Sequence, residues 1–300
     1  MKIWMAVLVG VVAATVGFGY WALQPQAAIG SVIVPFDIEK IRQSAGEEKQ
    51  LFPQSIGHIK IGEVLFPDAL VRSGGEFSIK ALTVYSYKIN YAEEYILLDV
   101  GSDEATMAGL APSYEFYADG FANVQAALPS AKAIVITHEH YDHCAGIAFS
   151  PYFNAIADVV RLTTEQLGNQ RSSMCQLTAD QRLKLKPLEY DQYFNLAPGI
   201  VLISAAGHTP GSQMVYVQLK DGKELIFVGD IAWHFDNVAL PLPHPRLTNW
   251  LVQEDSEAMA AQLKWLNQLH VNIPNLTIVP GHDSSKIDQL VSAGILQSTF

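Results

Sequence analysis

The sequence predicts an α/β chain of two β-sheets packed together with helices on the outside, preceded by an N-terminal transmembrane helix. Three observations carry that expectation. Short apolar runs rich in Val, Ile and Tyr recur in two groups, each accompanied by a stretch at helical spacing; strands then helices, twice over, suggest layered sheets. Several of those runs end directly at His or Asp. And residues 3–23, "IWMAVLVGVVAATVGFGYWAL", hold no charged side chain.

That N-terminal run is long enough to matter. At ~1.5 Å per residue, about 20 apolar residues span the ~30 Å hydrocarbon layer of a bilayer. Cleavage as a signal peptide wants small residues just after a shorter apolar region, whereas "QPQAAIG" places Pro25 and Gln26 there. Residues 1–25 are therefore expected to be an uncleaved membrane anchor, with secretion after cleavage as the alternative. Lys2 and the amino terminus precede the span, which orients the bulk of the chain out of the cytoplasm, toward the periplasm or beyond.

Residues 26–54 read as a linker with a short helix near "DIEKIRQSAG", and residues 55–300 as the folded domain. Within it, "KALTVYSYKI" (80–89) and "EYILLDVG" (94–101) have the composition of strands. Residues 113–128 space Tyr114, Tyr117, Phe121, Val124 and Leu128 as a helix does. "KAIVIT" (132–137) is a buried strand ending at His138. The second half offers strands at 199–207, 213–219 and 224–230, a hairpin turn at "KDGK", a helix over 256–270, and a strand "LTIVPGHD" ending at a histidine.

Composition excludes some functions. A formal net charge of −11 with only 19 Lys and Arg leaves no basic face to neutralise phosphates, so nucleic acid is not an expected partner. Two cysteines, Cys144 and Cys175, are too few for a disulfide scaffold; one bridge in an oxidising compartment and two unpaired buried thiols both remain open. No sequence feature sets an oligomeric state.

The strand ends carry the chemistry. "AIVIT" delivers His138, His140, Asp142 and His143; "VLISAAG" delivers His208; "LIFVG" delivers Asp230; "LTIVPG" delivers His282. Neutral imidazole and carboxylate are the usual zinc ligands. In His-x-His both rings can face one ion, and Asp142 and His143 can turn toward a second. Asp230 has two oxygens and could bridge ions about 3.5–4 Å apart. Such a pair lowers the pKa of bound water from 15.7 to about 7, which is hydrolytic chemistry. Zinc is expected first, and manganese or iron also accept this donor set.

"HEHYDH", "GHTPG", "GD" and "PGH", in this order over roughly residues 55–290, resemble the metallo-β-lactamase fold superfamily. "LLDVG", with Asp99 and Gly101, matches an element that precedes the motif there. The resemblance implies an αββα sandwich of two mixed β-sheets with a dinuclear site at one edge. It implies His138, His140 and His208 on the first metal, Asp142, His143 and His282 on the second, and Asp230 between them, with Asp142 and Asp230 in catalytic roles. Asp99 would orient a ligand, Glu139 would lie at the surface, and Cys144 would have no part in the chemistry.

The bridging Asp230 separates this chain from the β-lactamases proper, which generally lack it. The block "GHTPGSQMVYVQLKDGKELIFVGD" is most similar to the lactonase and glyoxalase II-like branches. The implied function is a metal-dependent hydrolase that cleaves a lactone, ester or thioester of a small molecule. The alternatives are β-lactam hydrolysis, and a non-hydrolytic metal-binding module or oxidoreductase on the same fold. One departure stands out: lactonases acting on acyl-homoserine lactones commonly carry Tyr three residues after the bridging Asp, and here Trp233 stands in that place. An indole has one N–H donor and cannot replace a phenol as a proton source. The loop 231–250 offers Trp233, His234, His244 and Arg246 as a candidate substrate wall.

Overall fold

The computed structural model describes residues 12, 14–26, 34, 36–109, 113–168 and 175–300. It builds two sheets. The first orders its strands β4-β1-β2-β3-β5-β6, from β1 (Ser55–Pro67), β2 (Ile79–Asn90), β3 (Tyr95–Leu98), β4 (Glu115–Phe116), β5 (Ala133–Val135) and β6 (Val160–Arg161). The second runs β11-β10-β9-β8-β7, from β7 (Tyr193–Ala197), β8 (Ile200–Ser204), β9 (Gln213–Gln218), β10 (Glu224–Phe227) and β11 (Leu276–Val279). Both are mixed: β3, β5 and β6 are parallel, as are β10 and β11, and the remaining pairs are antiparallel.

Period-two alternation sorts each strand between two cores. Ile200 and Leu202 of β8 face Tyr87, Leu98 and Val135 of the first sheet, and that central core closes over Phe227. Val201 and Ile203, one residue out of phase, meet Leu263 and Leu266 of the helix Ser256–Asn272 and Ile41 of the helix Ile38–Ala45. On the far side, Leu97 and Ile134 pack under Val124 of the helix Ala118–Ala127 and Ile147 of the helix Tyr141–Ala148. The layers are thus helix, sheet, sheet, helix. Both faces of these strands are buried, which is why they read as continuous apolar runs.

Hereafter α1 is Ile38–Ala45, α2 Ala118–Ala127, α3 Tyr141–Ala148, α4 Arg246–Val252 and α5 Ser256–Asn272. The short helix expected in 26–54 is α1, capped by Asp37, whose carboxylate accepts from the Glu39 and Lys40 amides. Arg42 fastens it to β10 through a two-pronged pair with Glu224, both bonds 2.7 Å. The helix expected from residue 113 begins only at Ala118, because Glu115 and Phe116 pair with β1 instead.

Part of the proposed transmembrane run, residues 3–11 and 13, lies outside the described residues. Among the described residues no helix is long and apolar enough to cross a membrane. The helical stretch 14–22 is largely exposed. The cysteines, left open between thiols and a bridge, are joined: Cys144 in α3 is disulfide-bonded to Cys175, with Cα atoms 5.1 Å apart.

Candidate metal centre

Four strands end at one edge of the sandwich, and each delivers a donor. Beyond β5 come His138 and His140, and Asp142 and His143 occupy the first turn of α3. His208 follows β8, Asp230 lies in a tight turn after β10, and His282 follows β11. All seven donors are buried except Asp142, which is partly open.

Their nitrogens and oxygens fall into two groups. His138 Nε2 and His208 Nε2 lie 2.9 and 3.0 Å from His140 Nδ1. Asp230 Oδ2 faces this trio, 3.4 Å from His208 Nε2 and 3.6 Å from His138 Nε2. Its other oxygen faces the second group, with Oδ1 3.0 Å from His282 Nε2 and 3.3 Å from His143 Nε2. Asp142 Oδ2 completes that group, 3.5 Å from His143 Nε2 and 3.7 Å from His282 Nε2.

Outer partners fix the rings. Asp99 Oδ2 accepts from His143 Nδ1 at 2.9 Å, while its Oδ1 accepts the Thr137 amide at 2.7 Å. Asp99 itself has a left-handed backbone, φ 54°. The Thr83 carbonyl accepts from His282 Nδ1 at 3.0 Å. Glu254 Oε1 accepts from His208 Nδ1 at 2.6 Å. In the neutral ring, each of these bonds leaves Nε2 as a bare lone pair aimed inward. Gly281 keeps the centre open, since a Cβ there would stand 2.7 Å from Asp230 Oδ1.

Electrostatics agree with a cationic guest. Burial, with the neighbouring His208, pushes the pKa of His140 down to about 3, so it is the neutral, ligating form. Burial resists ionisation of Asp230, but His282, His143 and His138 hold its carboxyl well below the usual range. At His208 the Asp230 and Glu254 carboxylates outweigh burial and raise the pKa to about 9.

The donor set fits divalent metal ions. Three imidazole nitrogens converging within about 3 Å cannot all be satisfied by one shared proton. His143 Nε2 and Asp230 Oδ1 are buried without a hydrogen-bond partner, a costly arrangement that coordination relieves. His138, His140, His208 and Asp230 would hold one ion, and Asp142, His143 and His282 the other, the members of each group lying within 4.8 Å of one another.

The model of the metallo-beta-lactamase superfamily matches residues 79–282, which contain every one of these donors. The chain belongs to the metallo-β-lactamase superfamily. Comparison with curated proteins finds no match. Among solved structures, a quorum-quenching N-acyl homoserine lactone lactonase superposes with a TM-score of 0.62 at 18% identity, over 79% of this chain and 95% of that one. An N-acyl homoserine lactone hydrolase with N-hexanoyl-L-homoserine at its catalytic metal center gives 0.62 at 17%, over 79% and 96%. A dizinc quorum-quenching lactonase gives 0.53 at 15%, over 76% and 87%. At such identities the likeness is one of fold.

Beside the metallo-β-lactamase donors opens a cavity of about 740 Å³. Val64, Phe66, Leu82 and Val84 wall it from the first sheet, and Leu251 and Val252 from α4, with His140, Asp142, Asp230 and His282 at its base. Of the four candidate wall residues only Trp233 lines it. His234 is turned away to Asp283, 2.9 Å from Oδ2. His244 is enclosed and donates to Glu254 at 2.7 Å. Arg246 reaches the N-terminal segment, bonding the Trp21 carbonyl at 3.1 Å with its guanidinium 5.1 Å from the indole.

Two acidic residues read differently from the sequence. Glu139, expected at the surface, is fully buried: it accepts from Thr209 Oγ1 at 2.7 Å and from the Gly211 amide at 3.2 Å, tying the His-x-His loop to the loop carrying His208. Glu254 escaped sequence reasoning. It stands 46 residues from His208 in "QEDSE", where an acid before a helix reads as a first-turn residue.

Proposed function

We propose that this metallo-β-lactamase-fold hydrolase uses two divalent ions, zinc foremost, to cleave a lactone, ester or thioester of a small molecule with an apolar portion. One observation carries the reading: the two oxygens of Asp230 face two separate sets of donors. When bound there, a pair of ions supplies water acidified toward neutrality and a Lewis acid for a carbonyl oxygen. Asp142, partly open and at the base of the cavity, takes the proton of the attacking water as it adds to the carbonyl carbon. The carbon–oxygen or carbon–sulfur bond then breaks and the proton held by Asp142 passes to the leaving oxygen or sulfur, giving a carboxylic acid and an alcohol or thiol. The apolar walls receive the hydrocarbon part of the substrate and exclude water.

A place outside the cytoplasm belongs to the same proposal. The uncharged 3–23 run supports it, and so does the Cys144–Cys175 bridge, because cytosolic thiols are kept reduced. The test of function is a panel of lactones, esters, thioesters and β-lactams, with short and long acyl chains, given to the zinc-loaded protein. Turnover of an acyl lactone, ester or thioester, lost on chelation, is the expected result. Turnover of β-lactams alone would overturn the reading.

A further inference from the structure

Glu254 and His244 form an enclosed pair behind the first set of donors, and both side chains are fully buried. One carboxylate oxygen of Glu254 accepts from two rings, His208 Nδ1 at 2.6 Å and His244 Nδ1 at 2.7 Å. The His244 ring lies against the Trp233 indole, centroids 4.2 Å apart and planes at 40°. That indole donates to Asp230 Oδ2 at 2.8 Å. So Glu254 reaches two of the donors of the first group: His208 directly, and Asp230 through His244 and Trp233.

The backbone around Glu254 is fixed as well. Gln253 closes α4 in a left-handed conformation, φ 61°, and the Glu254 amide donates to the Asn249 carbonyl at 3.2 Å. The next amide, Asp255, donates to the Gly207 carbonyl at 2.8 Å, next to His208. Leu251, Val252 and Gln253, just before it, line the cavity. The wall that meets substrate and the carboxylate that holds His208 are therefore successive residues of one turn.

We propose that Glu254 is the positioning residue of the centre, holding His208 in its ligating tautomer and, through His244 and Trp233, setting the place of Asp230. The proposal rests on the reading of His208 and Asp230 as metal ligands. A carboxylate behind a ligating histidine fixes the orientation of the ring, and its loss typically weakens metal binding by about 10–100-fold.

The test is titration of cobalt(II) into metal-depleted wild type, Glu254→Gln and His244→Phe, followed by ligand-field absorption and by competition with a chelator. The wild type should take up two ions. Glu254→Gln keeps the shape and removes the charge, and should bind its weakest ion about 10–100-fold less tightly with an altered spectrum. His244→Phe keeps a ring against Trp233 while releasing one arm of Glu254, and should show a smaller loss in the same direction. Wild-type affinity and spectrum in Glu254→Gln would overturn the proposal while leaving the metal reading intact. Should that variant fail to fold, wild-type affinity in His244→Phe would overturn it instead. Fewer than two ions in the wild type would sink the metal reading itself.

Discussion

Trp233 donates its indole N–H to Asp230 Oδ2 at 2.8 Å. The one hydrogen-bond donor of that side chain is thus engaged with the carboxylate between the two groups of donors. Trp233 thus both holds Asp230 and walls the cavity.

Trp233→Phe should therefore act on the metals before the substrate. The phenyl ring would keep the edge contact with Phe66, now 5.9 Å between centroids, but leave Asp230 Oδ2 without its donor. Zinc affinity, measured by chelator competition, should fall by about 10-fold or more. An unchanged affinity with a raised KM would assign Trp233 to substrate contact alone.

Gly281→Ala is a steric probe of the same carboxylate. The new Cβ would stand 2.7 Å from Asp230 Oδ1 and 3.0 Å from the Gly229 carbonyl. Metal occupancy and kcat should both fall, by about 10-fold or more, with the far-UV spectrum unchanged. Full occupancy and turnover would show that Asp230 need not hold its present position.

The seven donors were legible because each follows a short apolar strand, and strand ends are rigid places from which loops converge. What lies behind them was not. Glu139 occupies an alternating position of a polar loop and turns inward only because Thr209 and Gly211 come to meet it. Glu254 depends on a contact between residues 46 apart in the chain, which no local pattern encodes. The long strand β1 was missed because its buried and half-open positions do not alternate cleanly, and its pairing with β2 shifts register between Lys60 and Gly62. The wall was misassigned for a related reason: His234 and His244 carry ligand-like chemistry, but Asp283 and Glu254 claim them.

The disulfide makes a stability prediction. Cys144 directly follows His143, and its partner lies 31 residues on. Thiol titration of the unfolded, unreduced protein should find no free cysteine. Cys144→Ser or Cys175→Ser should lower unfolding free energy by about 2–4 kcal/mol. Two titratable thiols and an unaltered melting temperature in the serine variants would contradict the bridge.

Acid stability should depend on Glu224. Burial disfavours its charge, but the hydrogen bonds from Arg42 and Tyr216 outweigh that and hold the carboxyl below its ordinary pKa. A depressed carboxyl favours folding fully above the ordinary glutamate value of about 4.3, and the contribution is lost as pH falls through the folded pKa. Between about pH 6 and about pH 3 the melting temperature of the wild type should fall further than that of Glu224→Gln. Parallel curves would remove the pair α1–β10 from the account of acid unfolding.

The most direct test of the central claim is metal stoichiometry, read by elemental analysis of purified wild type and Asp230→Ala. Two sets of donors sharing Asp230 predict close to two divalent ions per chain in the wild type and a marked loss from both sites in the variant. A single ion in the active wild type, or two ions retained in Asp230→Ala, would contradict a centre bridged by Asp230.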